Sequence, residues 1–205
     1  MSSMPDDRST PAIIRDAALT LFAESGPDKV TVQQIATAAK VSPGLVIHHF
    51  GSKDGLRARV DEHVAGVFDA LFATFDSAPP PTAELGGSFC DAILAGLPPD
   101  SPIPRYLRRL WLAGDDSGRQ LFRRWYEVSL SWMQRLEERG IVRAAADPRV
   151  RTALLMVNDL SVLLFRDHLA EVLDTDLLTP DGMRRWADGA LDLYQGGLFA
   201  DTEKS

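Results

Sequence analysis

Cysteine is almost absent from this chain. Cys90 is the one thiol in 205 residues, so no disulfide can close within it, and the composition suits a reducing cytoplasm. Cys90 stands in an apolar stretch, SFCDAILAGL, and reads as a small buried hydrophobe. Long apolar runs are lacking too. A membrane-spanning helix needs about 18 or more apolar residues, and the best candidate, ALLMVNDLSVLLF, is cut by Asn158 and Asp159. The opening residues, MSSMPDDRST, lack the apolar core of a signal peptide. We therefore expect a soluble, cytoplasmic protein with no membrane partner. The four histidines, His48, His49, His63 and His168, show no metal-ligand spacing with carboxylates. Glycine-rich phosphate loops, a nucleophile elbow and H-E-x-x-H are all missing. No catalytic residue, metal or cofactor is expected, and the chain does not read as an enzyme.

Basic charge is also in short supply. Lys+Arg number 22 against 29 Asp+Glu, a formal net charge of −7. That excludes a surface coated in non-specific nucleic-acid contacts but not a local DNA-binding face. The imbalance is uneven: residues 1–60 hold seven basic and six acidic side chains, residues 61–205 fifteen and twenty-three. A near-neutral head on an acidic body favours docking on DNA head first.

What is present is helical periodicity almost throughout, with no convincing alternation of a strand. The fold expected is all-α, with about nine helices in total. Residues 1–9 read as a disordered tail. Helix 1 is expected to take Thr10 as N-cap and Pro11 in its first turn, to bury Ile14, Ala17, Ala18, Leu21 and Phe22, and to end at Gly26-Pro27. Thr31 and Gln34 have the spacing of a capping box opening helix 2. Ser42, followed by proline, caps helix 3, whose inward anchors are Val41, Val46 and Phe50. Ser52 caps a long helix 4 reaching about Phe75. Prolines at 79–81 and at 98, 99, 102 and 104 bracket a helix over about 82–97, and further helices follow over about 104–113, 116–139, 147–173 and 180–196. The domains expected are a three-helix head over 10–53 and a larger helical body over 54–205.

Two short helices joined by a tight turn, TVQQIATAAK and VSPGLVIHHFGSK, have the layout of a helix-turn-helix. Ser42, Pro43 and Gly44 make a slim leading end able to approach base edges. Pro43 and Leu45 can each touch a thymine methyl, and Gln33 can pair with adenine or simply face solvent. Thr31 is first a cap and second a phosphate donor. Lys53 sits in the first turn of helix 4, where its charge opposes the helix dipole unless an anion joins it.

These same residues carry a family resemblance. AALTLFAESG in helix 1, Thr31, Ile35 and Ala36 of T-x-x-x-I-A, V-S-P-G-L at the turn and H-H-F-G-S-K-D-G-L into helix 4 resemble the DNA-binding domain of the TetR/AcrR family of bacterial regulators. The likeness spans Ile14 to Leu56, and the rest of the chain is similar only in being helical and of the usual length. It implies that Thr31, Gln33, Ser42, Pro43, Gly44, Leu45, His48, His49 and Lys53 face double-stranded DNA, with His49 and Lys53 on phosphates. One residue departs from the pattern. Ile47 stands where the family commonly has a phosphate-binding tyrosine, so that contact is lost and His48 is its candidate substitute.

The resemblance further implies a homodimer built on the last two long helices, a pseudo-palindromic operator, and a small, mostly apolar effector inside the body. Apolar residues crowd positions 154–164 more densely than one core-facing stripe needs, which supports a covering partner. Candidate effector-binding residues are Phe68, Phe72, Trp111, Trp125, Tyr126, Trp132, Asn158 and Asp159, the last two being polar within an apolar helix; ordinary core is the competing reading for each aromatic. The function expected is a ligand-responsive repressor. A related activator, or a helical interaction module that has lost DNA binding, are the alternatives.

Overall fold

A computed structural model describes residues 9–77, 97 and 100–196, without the side chains of 71, 72, 74–77, 195 and 196. The expected tail before Ser9, the helix expected over 82–97, Cys90 and the Phe72 side chain lie outside the described residues. Among the described residues there is no strand. The helices are α1 (Thr10–Ser25), α2 (Val32–Ala38), α3 (Pro43–Phe50), α4 (Lys53–Ser77), α5 (Ile103–Ala113), α6 (Asp116–Glu138), α7 (Pro148–Leu164), α8 (Arg166–Leu173) and α9 (Pro180–Gly196), with a 3-10 turn at Pro27–Lys29.

The chain divides into two compact units. The first comprises Met1–Phe68 with Pro102–Trp125, so it holds more than the expected 10–53 head: α5 and the start of α6 belong to it. Its core is made by Ile14, Phe22, Ile35, Val46, Leu56 and Leu107, none with any exposed area. At about 1.5–3 kcal/mol for each fully buried large aliphatic or phenylalanine side chain, these anchors dominate the stability of so small a bundle. The second unit comprises Asp69–Ser101 with Tyr126–Ser205. Leu177 and Leu178, both fully buried in it, sit in the link between α8 and α9.

Two expected boundaries are corrected. The N-cap of α1 is Ser9, because the Ser9 carbonyl accepts the first helical bond from Ile13 N–H at 3.1 Å; Thr10 is already helical. The expected helix over 147–173 is two helices. Phe165 leaves helical geometry, at φ −111° and ψ 21°, between α7 and α8. In the last turn of α7 the Ser161 hydroxyl donates back to the Asn158 carbonyl at 2.6 Å. Arg166 then anchors α8 by donating from Nε (3.0 Å) and Nη2 (2.5 Å) to the two oxygens of Asp176. No proline or glycine marks this break.

Candidate DNA-binding face

The helix-turn-helix is fixed by local hydrogen bonds. Gln34 N–H donates to Thr31 Oγ1 at 3.2 Å and Thr31 N–H to Gln34 Oε1 at 2.8 Å, which closes the capping box. The Thr31 hydroxyl also donates to Gln34 Oε1 at 3.0 Å, so its hydrogen is engaged within the chain. At the far end of α2, Val41 N–H bonds to Ala36 O (2.9 Å) and Lys40 N–H to Thr37 O (3.2 Å), with Lys40 left-handed at φ 55°. That pair of bonds is a Schellman stop, here made without glycine. Ser42 Oγ then accepts from Leu45 N–H at 3.2 Å and starts α3. Acceptance uses a lone pair and leaves the hydroxyl hydrogen for another partner.

Val46 pins α3 to the core with no exposed area. The opposite side is open: Ser42, Gly44, Ile47, His48 and His49 are exposed, and so are Thr31 and Gln33 at the start of α2, while Pro43 and Leu45 are half-buried. A Cβ on Gly44 would meet nothing nearer than Ser42 Oγ at 4.0 Å. The protein's own packing therefore does not require glycine there. Ile47 is 43% exposed and presents an apolar tip among these polar neighbours. The rings of His48 and His49 stand edge to face at 5.3 Å.

Lys53, expected to face a phosphate, is also engaged within the chain. Its ammonium donates to the Pro27 carbonyl at 3.0 Å and the Val30 carbonyl at 3.2 Å, so it clamps the turn between α1 and α2 to the start of α4. Two of three ammonium hydrogens are used inside the chain; one is left for an anion. This clamp also resolves why a cation tolerates its own helix dipole: two carbonyl oxygens surround it. Gly55 completes the corner. A Cβ there would lie 2.2 Å from the Phe50 carbonyl oxygen, so α3 and α4 meet backbone to backbone.

Behind the face, α4 is locked to α5 and α6 by groups the sequence reading missed. Tyr106, 2% exposed, donates its hydroxyl to Asp61 Oδ1 at 2.5 Å. Burial raises the Asp61 pKa, while the Tyr106 and Arg57 partners oppose the rise. Arg57 Nη2 pairs with Asp115 Oδ2. Desolvation pushes Asp115 up, but the Gly118 N–H at 2.9 Å and Arg57 outweigh it and hold the carboxyl below its ordinary range. Arg109 donates to the Ala23 (2.7 Å) and Glu24 (2.5 Å) carbonyls and so closes the C-terminal end of α1. These pairs are 45 to 86 residues apart in sequence, beyond any periodic signal.

Of the expected effector-binding residues, Phe68, Trp111 and Trp125 come together in the first unit. Ring centroids are 3.9 Å apart for Phe68–Trp125 and 5.4 Å for Trp111–Trp125. The indole Nε1 of each tryptophan is buried without an acceptor. Tyr126, Trp132, Asn158 and Asp159 belong to the second unit. There the Tyr126 hydroxyl donates to the Arg149 carbonyl at 3.2 Å, and Asn158 Nδ2 lies 3.4 Å from Asp159 Oδ1. Crowded surroundings push the Asp159 pKa up to about 6, although the side chain itself keeps contact with water.

The family model described as "Bacterial regulatory proteins, tetR family" matches residues 14–60, and "Tetracyclin repressor-like, C-terminal domain" matches residues 100–200. The HTH-type transcriptional regulatory protein RaaS of Mycobacterium tuberculosis is 31% identical over 199 residues, spanning 95% of this chain and 89% of its own. The chain belongs to the TetR family of bacterial regulatory proteins. This TetR-family protein is accordingly a DNA-binding transcriptional regulator with a helix-turn-helix head. The repressor KstR2 of Rhodococcus jostii is 45% identical over 60 residues, 29% of this chain and 28% of the repressor. Two solved structures share the fold at low identity. A putative fatty acid metabolism regulator of Clostridium perfringens aligns with TM-score 0.73 at 16% identity, over 92% of this chain and all of its own. FadR of Bacillus subtilis, solved with stearoyl-CoA, aligns with TM-score 0.72 at 15% identity, over 92% and 99%. Among the described residues no helix is long and apolar enough to cross a membrane and no group of residues is placed to hold a metal.

Proposed function

We propose that this regulator is a repressor that grips a pseudo-palindromic operator as a homodimer and lets go when a small, mostly apolar molecule binds its helical body. The observation that carries the reading is α3: anchored by Val46 on one side, it offers Ser42, Gly44, His48 and His49 on the other, with space at Gly44 that the fold itself does not use. Ser42, Pro43, Gly44 and Leu45 approach base edges, and Gln33 reads a base from the start of α2. His49, His48, Thr31 and the remaining ammonium hydrogen of Lys53 hold phosphates. Repressors among its relatives support the direction of control.

The second copy covers α7 and α9. Val150, Leu154 and Val157 form a stripe at helical spacing on α7, 54%, 67% and 55% exposed, and Leu193 and Tyr194 of α9 are half-exposed. For the effector, Phe68, Trp111 and Trp125 supply the aromatic wall, and their two unpartnered indole N–H groups call for a molecule with a hydrogen-bond acceptor. The stearoyl-CoA bound by the Bacillus subtilis FadR makes acyl thioesters the first compounds to try.

The test is operator binding followed by fluorescence anisotropy with the DNA upstream of the regulator's own gene. Affinity should fall with salt at a log–log slope of about 4 to 8 per dimer. Gln33→Ala should change the preferred base at one position in each half-site while leaving other positions alone. A slope near zero, or a uniform loss on every operator in the Gln33 variant, refutes the arrangement.

A further inference from the structure

A cavity of about 470 Å³ opens at the root of the head, bounded by the turn after α1, by α4, by α5 and by the α5–α6 corner. That volume lies within the range of small-molecule sites. Its polar lining is Arg57, Arg108 and Arg109 against Asp28 and Asp115, with Tyr106 as part of an otherwise apolar floor. Arginines therefore outnumber carboxylates around it.

One of these arginines is half-used. Arg57 meets Asp115 through Nη2 only, and its Nε is buried with no acceptor. A guanidinium is a fork that binds a carboxylate or a phosphate through two parallel N–H bonds, and such pairs are stronger than single ones. Only Oδ2 of Asp115 meets the guanidinium, while its Oδ1 accepts from Gly118 N–H. A partner free to present both oxygens has the advantage over it.

We propose that this cavity is a second small-molecule site of the regulator, taking an organic anion, a carboxylate or a phosphate monoester with a small apolar body, which draws the Arg57 fork away from Asp115. The guanidinium must turn for Nε to reach the anion, since it is enclosed in the resting arrangement. That turn undoes the Arg57–Asp115 tie between α4 and the α5–α6 corner. The anion would thus act on the helix that follows the DNA-reading element without entering the Phe68–Trp111–Trp125 cluster.

Isothermal titration of the full-length protein, with no DNA present, tests this apart from the operator reading. The probes are benzoate, phenyl phosphate and the neutral isostere benzamide. At least one of the two anions should bind saturably below about 10 mM, and which one does so tells a carboxylate site from a phosphate site. Benzamide should bind at least tenfold more weakly. Arg57→Lys keeps the charge beside Asp115 but removes the fork, and should weaken the anion at least fivefold; Arg139→Gln, outside the lining, should not. Circular dichroism and a thermal melt establish that each variant is folded, and Arg57→Gln is a second variant should the lysine fail to fold. Equal binding of benzamide, unchanged affinity in both Arg57 variants, or no saturable binding of either anion overturns the proposal.

Discussion

Replacing Lys53 by methionine separates two roles that the sequence alone merges. The substitution keeps the unbranched stem and removes the ammonium that holds the Pro27 and Val30 carbonyls at 3.0 and 3.2 Å. A hydrogen bond to a charged group contributes about 1.5–3 kcal/mol, so two give an upper bound of about 3–6. The site is only part-buried, and water reaching the vacated carbonyls recovers more than half of that. Removing a cation from the first turn of its own helix returns about 0.3–1 kcal/mol. The net loss is about 1–2 kcal/mol, which for a chain of 205 residues lowers Tm by about 2–8 °C. Differential scanning calorimetry reads the stability, and operator titration at several salt concentrations reads the phosphate contact. We expect the lower Tm together with a salt slope reduced by no more than about 2 per dimer. An unchanged Tm would refute the clamp, and a purely electrostatic loss on DNA would return Lys53 to the role of a free phosphate donor.

Two further substitutions probe acids whose pKa is raised. Tyr106→Phe deprives the Asp61 carboxylate of the hydroxyl at 2.5 Å and should cost about 1–3 kcal/mol at neutral pH. The deficit should narrow as pH falls through the raised Asp61 pKa, since a protonated carboxyl no longer needs that donor, and chemical denaturation at several pH values would reveal a constant deficit if the pairing is wrong. Asp159, raised to about 6, opposes folding once it is ionised, a penalty absent below about pH 4 and complete above about pH 6. Asp159→Asn should therefore raise Tm at pH 7.5 by up to about 4 °C, the penalty being held under about 1 kcal/mol because water reaches the side chain, and should have no effect near pH 4; thermal melts at both pH values check it.

What the sequence revealed and what it concealed divide along range. Thr31, Gln34, Ser42 and Ser52 announce helix starts because their partners are three residues away, and the structure shows those bonds. The helices of the described residues were legible from spacing, except that the helix expected over 147–173 is divided at Phe165. Beside that division stand a serine hydroxyl turned back on its own helix and an arginine meeting Asp176, neither of which has a periodic mark. Arg57–Asp115, Tyr106–Asp61 and Arg109 on the end of α1 were invisible for the same reason: each links segments far apart in the chain. The DNA-facing residues were readable as types and positions. That Lys53 spends two hydrogens on carbonyls was not, since a lysine near a helix start looks the same whether it faces an anion or a turn.

Arg109 reaches from α5 to the end of α1, and this has a consequence for anyone wishing to rewire the regulator. Consider an exchange of heads made by a cut in the helix after the recognition element. Here such a cut would discard the strut that finishes the first helix, and a fragment ending near residue 60 would have its opening helix frayed. A transplantable cassette needs both pieces of the first unit, residues up to 68 together with 102–125. The head is thus a split module, and inheritance of a new operator preference requires two stretches of gene to travel together.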